Sequence, residues 1–156
     1  MSHKPAVFGP RNGKDGLLLA VLTRGFTDRR TAITTPPQLP AQERLQGCAR
    51  GYRRFAMTWP MTYTVMFAQQ HPIELDDGVR TAALGAFDTL VDAIVAGQHA
   101  NIVTDGNPHD IAAQVWACLH GAISLQPTAS MIIQNPETNY ENLIDTILHG
   151  ISPETA

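Results

Sequence analysis

Seven apolar residues, Leu45, Cys48, Ala49, Tyr52, Phe55, Ala56 and Trp59, stand at i, i+3, i+4, i+7, i+10, i+11 and i+14 along the chain. That spacing winds into a single apolar stripe on a helix, and a stripe of this length must be buried against other elements. Pro40 suits the first position of such a helix, because its missing N–H would be unsatisfied there anyway. The Trp59–Pro60 bond should end it: a residue before proline is pushed away from helical dihedrals, while Pro60 itself opens a short new helix through Phe67. The expected product is a bend lined with aromatic side chains.

Four further segments read as helices. Asp15 to about Ala32 carries Leu18, Val21, Leu22 and Phe26 at helical spacing, with Asp15 at the positive end of the dipole, until Thr34–Pro40 breaks it. After His71-Pro72, Asp76 or Asp77 can cap a helix whose Val79, Ala83, Ala86, Phe87, Leu90 and Ile94 run to Val95, with Gly97 near its end. Residues 98–107 read as a polar loop, and Asn107-Pro108-His109-Asp110 has the cap, proline and acid of a helix start. The helix from there to Leu125 is apolar on two faces, Ile111, Val115, Leu119 and Ala122 on one and Ala112, Trp116 and Ile123 on another, and so should be buried on both sides. Tyr140, Ile144, Ile147, Leu148 and Ile151 form a short amphipathic helix near the carboxyl end. The fold class is therefore all-α, a helical bundle, with strand character only around Met131-Ile132-Ile133. No internal repeat or low-complexity segment is present.

One hundred and fifty-six residues suit one domain with a self-sufficient core. Charged residues make up only 16%, against the usual quarter or so, which predicts apolar surface buried against a partner. No apolar run approaches the roughly 20 residues that span a bilayer, and no secretory segment follows Met1, so a cytoplasmic protein without membrane partners is expected. Cys48 and Cys118 fall on apolar faces without CxxC spacing, which favours reduced core thiols. Residues 1–60 hold ten of the eleven basic residues and three of the fourteen acids. Clusters such as Arg29-Arg30 and Arg50, Arg53, Arg54 therefore suit solvated helix faces or an acidic surface.

Motifs that carry chemistry are missing. Gly9-Pro-Arg-Asn-Gly13-Lys14-Asp15 has three residues between its glycines and Asp after Lys, where a phosphate-binding loop needs four and Ser or Thr. The histidines show no HxxxH or HExxH spacing, and His99, Asp105 and His109 read as solvent-exposed. His120 and Ser124 share a helix face but lack an orienting acid. Glu74, Asp76 and Asp77 precede a helix and read as caps. Neither an enzyme nor a bound cofactor or metal is expected. What remains is a set of large, soft side chains at the bend, Phe55, Trp59, Tyr63, Met66 and Phe67, joined by Phe87, Trp116 and His120 from later helices. Such a cluster serves equally as solid core or as a small-molecule pocket, with Tyr63, His120, Thr58 or Thr62 as its polar groups.

The run Trp116-Ala-Cys-Leu-His120-Gly121, with Tyr52-Arg-Arg-Phe55-Ala-Met-Thr-Trp59-Pro60 upstream, resembles the effector-binding and dimerisation half of TetR/AcrR-type transcriptional regulators, in the variety marked by Trp, His and Gly at this spacing. Phe8, Lys14, Asp15, Leu17, Leu18, Ala20 and Val21 resemble the junction that follows the DNA-reading helix there, although residues 9–13 make its loop longer than is typical. The resemblance covers most of residues 8–151. It implies a junction remnant in 1–13, a regulatory bundle in 14–151 and a tail in 152–156. It also implies a homodimer whose small apolar effector controls transcription, as a repressor, with operator DNA held only by an amino-terminal three-helix unit that the seven residues before Phe8 cannot encode. Residues 108–126 and 140–151 present more apolar surface than one core needs, so Val115, Leu119, Ala122, Ile123, Ile144, Ile147 and Leu148 are the expected dimer interface, unless residues 126–139 fold over them. The other reading is a stand-alone helical module that binds a small molecule or a partner without DNA; a small helical enzyme would need an acid–base pair that the sequence does not show.

Overall fold

The computed structural model describes residues 13–68, 73–129 and 132–154. Six helices form among them: α1 (Lys14–Ile33), α2 (Ala41–Thr58), α3 (Pro60–Met66), α4 (Asp77–His99), α5 (Pro108–Ala129) and α6 (Pro136–Gly150). The expected all-α bundle is what forms, and no strand is found among the described residues; Ile132 and Ile133 sit in the connection before α6. Most of the junction expected in 1–13, the His71-Pro72 break, Met131 and the last two residues of the tail lie outside the described residues.

The α2 stripe is the spine of the core. Leu45, Cys48, Ala49, Tyr52, Phe55 and Ala56 are each no more than 4% exposed. Trp59 departs from it. Helix α2 ends at Thr58 and Pro60 begins α3, so Trp59 sits between them with non-helical dihedrals (φ −127°, ψ 58°) and its indole turns outward, 55% exposed.

Helix α1 packs against both α2 and α4. Its buried side is Leu22, Phe26, Arg29 and Ile33, with Leu19 at the start. The crossing with α2 is made at Gly51, where an added Cβ would overlap the carbonyl oxygen of Ala32 and stand 3.1 Å from the Ile33 Cα. The same closeness lets α2 complete the carboxyl end of α1: the Cys48 thiol donates to the Ile33 carbonyl at 3.1 Å and Arg54 donates to that of Ala32 at 3.4 Å. Burial pushes the Cys48 thiol up to about 11, so it remains a protonated donor.

Asp76 caps α4 by accepting from the Val79 N–H at 2.9 Å, an interaction worth about 1 kcal/mol. The polar connection after α4 has a buried anchor that its composition hides. The amides of Ile102 and Val103 turn back to the Gly97 carbonyl, which places the 2%-exposed Val103 against Gly97, and Thr104 donates to Ile151 beyond α6 at 2.8 Å. Helix α6 begins at Pro136, four residues before its first apolar position, because Asn135 caps it through the Thr138 N–H at 3.0 Å. Its Tyr140 is buried and donates to the Ala49 carbonyl of α2 at 3.0 Å.

Helix α5 buries one side. Ile111, Ala112, Val115, Leu119 and Ile123 face the core, while Ala113, Ala117, Cys118 and Leu125 are exposed. Cys118 is therefore a surface thiol rather than the core thiol expected from its apolar surroundings. Both sides of α5 are apolar in sequence, and only one is covered within the chain.

Candidate functional site

Where α1, α2, α3 and α5 meet, six rings pack together. Tyr63 and Phe67 have centroids 4.9 Å apart, Phe67 and His120 4.6 Å, and Phe67 and Trp116 6.0 Å, with Tyr52 and Phe26 edge-on beneath. Phe87 of α4 extends the wall through Trp116 at 6.3 Å. Phe67, Phe87, Trp116 and His120 are half-buried, so the cluster reaches the surface on that side. Of the expected site residues, Tyr63, Phe67, Phe87, Trp116 and His120 are brought together here. Met66 is buried beneath Gly25 of α1, and Phe55 lies with Trp59 along a separate hollow of about 400 Å³ between α1 and α3. The proline bend that carries Trp59 outward is what removes it from the cluster.

The polar groups of the cluster form one chain. Trp116 Nε1 donates to the Tyr52 hydroxyl at 3.1 Å; that hydroxyl lies 3.3 Å from Tyr63 Oη and 3.0 Å from His120 Nδ1, and Tyr63 Oη is 2.6 Å from the same nitrogen. Burial, with the Arg29 charge second, holds the His120 pKa below its ordinary value near 6.5, so the imidazole is neutral at pH 7. Nδ1 is then the acceptor for Tyr63, and Nε2–H points to Ser124 Oγ at 3.4 Å. Burial also pushes both phenols upward, and they stay protonated. This network predicts a pH dependence of known sign. A histidine with a folded pKa below its unfolded value binds more protons when unfolded, so its stabilisation is present above about pH 6.5 and is lost as pH falls below it. Thermal melts between pH 7.5 and 5 should show Tm falling with pH, and His120→Gln should flatten the slope; an unchanged slope would assign the effect to other groups.

Arg29 lies at the base of the cluster and was not among the residues expected there. It is 4% exposed, with its guanidinium carbon 5.5 Å from the Tyr52 ring centroid and 5.9 Å from those of Phe26 and Phe67. Its Nε has no hydrogen-bond partner. The sequence does hold a signal for it: Leu22, Phe26, Arg29 and Ile33 stand at i, i+4, i+7 and i+11, which places Arg29 on the buried stripe of α1 rather than on a solvated face.

The residues expected to form a dimer interface divide in two. Val115, Leu119, Ile123 and Ile144 are buried inside the chain, where Val115, Leu119 and Ile144 face Leu45 and Ala49 of α2. Their apolar side serves the chain's own core. Ile147 and Leu148 are half-buried along the same seam. Ala122 instead borders an open groove of about 630 Å³ between α5 and α6, with Leu125, Ile132 and Leu143. Around it the outward residues Gln114, Ala117, Cys118 and Leu125 of α5, and Asn139, Asn142 and Thr146 of α6, carry no charge. In all of α5 the one formally charged side chain is Asp110.

Residues 45–147, from the α2 stripe to the last turns of α6, match the family of tetracyclin repressor-like C-terminal domains. The chain belongs to that family. Its fold is also that of a solved protein of unknown function from Rhodococcus sp. RHA1, with a TM-score of 0.80 at 21% identity over 91% of this chain and 76% of that one. No match to a curated protein was found. The part typical of tetracyclin repressor-like C-terminal domains holds Tyr52, Tyr63, Phe67, Trp116 and His120, whereas Phe26 and Arg29 come from α1, outside the matched stretch.

Proposed function

We propose that this chain is the regulatory half of a TetR-type transcriptional regulator, a repressor, that binds a small and largely apolar effector at the ring cluster and acts as a homodimer in the cytoplasm. The observation that carries this reading is that the family match takes in the helices that supply all of the cluster's rings but Phe26, together with the uncharged face of α5 and α6. The half-buried wall of Phe67, Phe87 and Trp116 suits an apolar ligand that orients by a few polar groups. Operator contact would fall to an amino-terminal DNA-reading unit, and the effector would act by favouring one of two arrangements of the dimer.

Trp116 supplies a direct test. Trp59 is exposed and apart, so Trp59→Phe leaves one indole, in the cluster, as reporter. Titration of this variant with a panel of apolar aromatic and aliphatic compounds should change the Trp116 emission for those that bind. A hundredfold excess over Kd adds about 2.7 kcal/mol of stability, which raises Tm by roughly 5–10 °C in a protein of this size. Indifference of both signals across the panel would mark the cluster as solid core.

A further inference from the structure

We infer that Arg29 anchors the effector, and that the effector is a monocarboxylic acid whose carboxylate pairs with this guanidinium while its apolar body lies against Phe67, Phe87 and Trp116. The inference rests on the effector-binding reading and narrows it to one ligand chemistry.

A buried cation ordinarily has a carboxylate beside it, because a charge removed from water without a partner is strongly destabilising. Arg29 is one of the most deeply buried polar side chains in the protein, and among the described residues no carboxylate is paired with it. Asp28, next to it in sequence, turns to Arg24 at 2.8 Å, and Glu141 is held by Arg50 at 2.8 Å. The cluster around the guanidinium supplies no negative charge either. Tyr52 and Tyr63 are protonated phenols, His120 is neutral, and the hydroxyl and indole protons are spent along the chain from Trp116 to His120 Nδ1. Three aromatic faces hold the guanidinium in place, but they carry no countercharge, and Nε has no hydrogen-bond partner. The site thus has one fixed positive charge, a planar donor fork and apolar walls. A carboxylate matches that fork with two oxygens and cancels the charge one for one, whereas a phosphate dianion would bring an uncompensated second charge into a ring cluster.

The test compares acids with their neutral isosteres. Octanoate and 1-naphthaleneacetate, each beside its primary amide, are titrated into the full chain by calorimetry and by thermal shift at pH 7.5. Each acid should bind about tenfold or more tightly than its amide, as charge-assisted pairing implies. In Arg29→Met that preference should vanish, while Tm without ligand equals or exceeds the wild-type value, since an apolar side chain of similar length relieves the unpaired charge. Amides binding as tightly as acids to the wild type would overturn the anchor and leave the effector reading intact. If none of the four compounds binds, both fall. Should the methionine variant not fold, Arg29→Lys decides: it keeps the charge without the fork, so acid affinity should drop about tenfold with amide affinity unchanged, and undiminished acid affinity would overturn the proposal.

Discussion

Alanine at Gly51 should destabilise the protein by about 3 kcal/mol or more, a fall in Tm of roughly 6–12 °C at this chain length. The added Cβ meets the Ala32 carbonyl oxygen and the Ile33 Cα, both backbone atoms, so no rotamer change relieves the overlap. Helices α1 and α2 must move apart. That separation would also loosen the Cys48 and Arg54 hydrogen bonds to the end of α1, and it would draw Arg29, one turn earlier, away from Tyr52. Gly85 of α4 is the internal control. A Cβ there meets only the end of the Arg30 side chain at 3.3 Å, which can swing into water. Gly85→Ala should therefore leave stability unchanged or raise it by up to about 1 kcal/mol through helix propensity. Chemical denaturation of the two variants beside wild type checks both directions, and a Gly51→Ala variant as stable as wild type would show that the crossing is not close.

The two glycines have the same look in the sequence, each inside a helical pattern, and nothing local separates them. Which one another backbone approaches is a tertiary fact. The helices themselves were legible because their burial is written in period 3.6 and their ends in proline, Asp and Asn: the α2 stripe, the Trp59–Pro60 break, the α4 cap and the start of α5 all follow from chemistry within a few residues. The cluster was legible in part. Tyr63, Trp116 and His120 stand out as large residues with polar tips and Phe67 as a large ring beside them, but the spacing of the stripe also draws in Trp59, whose direction is decided by the dihedrals at the proline bend. Arg29 was obscured by its neighbour. Read as a pair with Arg30 it suggests a solvated surface, whereas read in register with Leu22, Phe26 and Ile33 it belongs to the buried side.

The same distinction between periodicity and coverage governs α5. Both faces of α5 read as apolar, and the expected interface draws Val115, Leu119 and Ala122 from one and Ile123 from the other. Val115, Leu119 and Ile123 are buried within the chain, where Val115 and Leu119 fill the space against α2. The outward side is made of smaller residues, with Leu125 its largest side chain. Small size gives such a face little hydrophobic weight in sequence, yet it permits close helix approach between two copies.

Glutamate at Ala122 should convert a dimer to a monomer while sparing the fold. Ala122 is half-buried at the rim of the groove between α5 and α6, so in a single chain the new carboxylate reaches water and should alter stability by no more than about 0.5 kcal/mol. Across a two-fold interface the substitution appears twice, and each carboxylate would be buried without a cation, at about 3 kcal/mol or more. A weakening of about a hundredfold or greater follows from one such charge alone, since each 1.4 kcal/mol is about tenfold. Light scattering over a dilution series should then find wild type at twice the chain mass and Ala122→Glu at the chain mass, with equal Tm extrapolated to low concentration. Asp145→Asn, on the charged side of α6, should stay dimeric. Persistence of the Ala122→Glu dimer would remove this face from the interface. Because Arg29, Tyr52, Tyr63, Phe67, Trp116 and His120 all come from one chain, the monomeric variant should still bind whatever ligand the wild type binds. Loss of assembly with retained binding would separate the proposed effector recognition, whose side chains lie within one protomer, from the proposed coupling of two protomers across the uncharged face of α5 and α6.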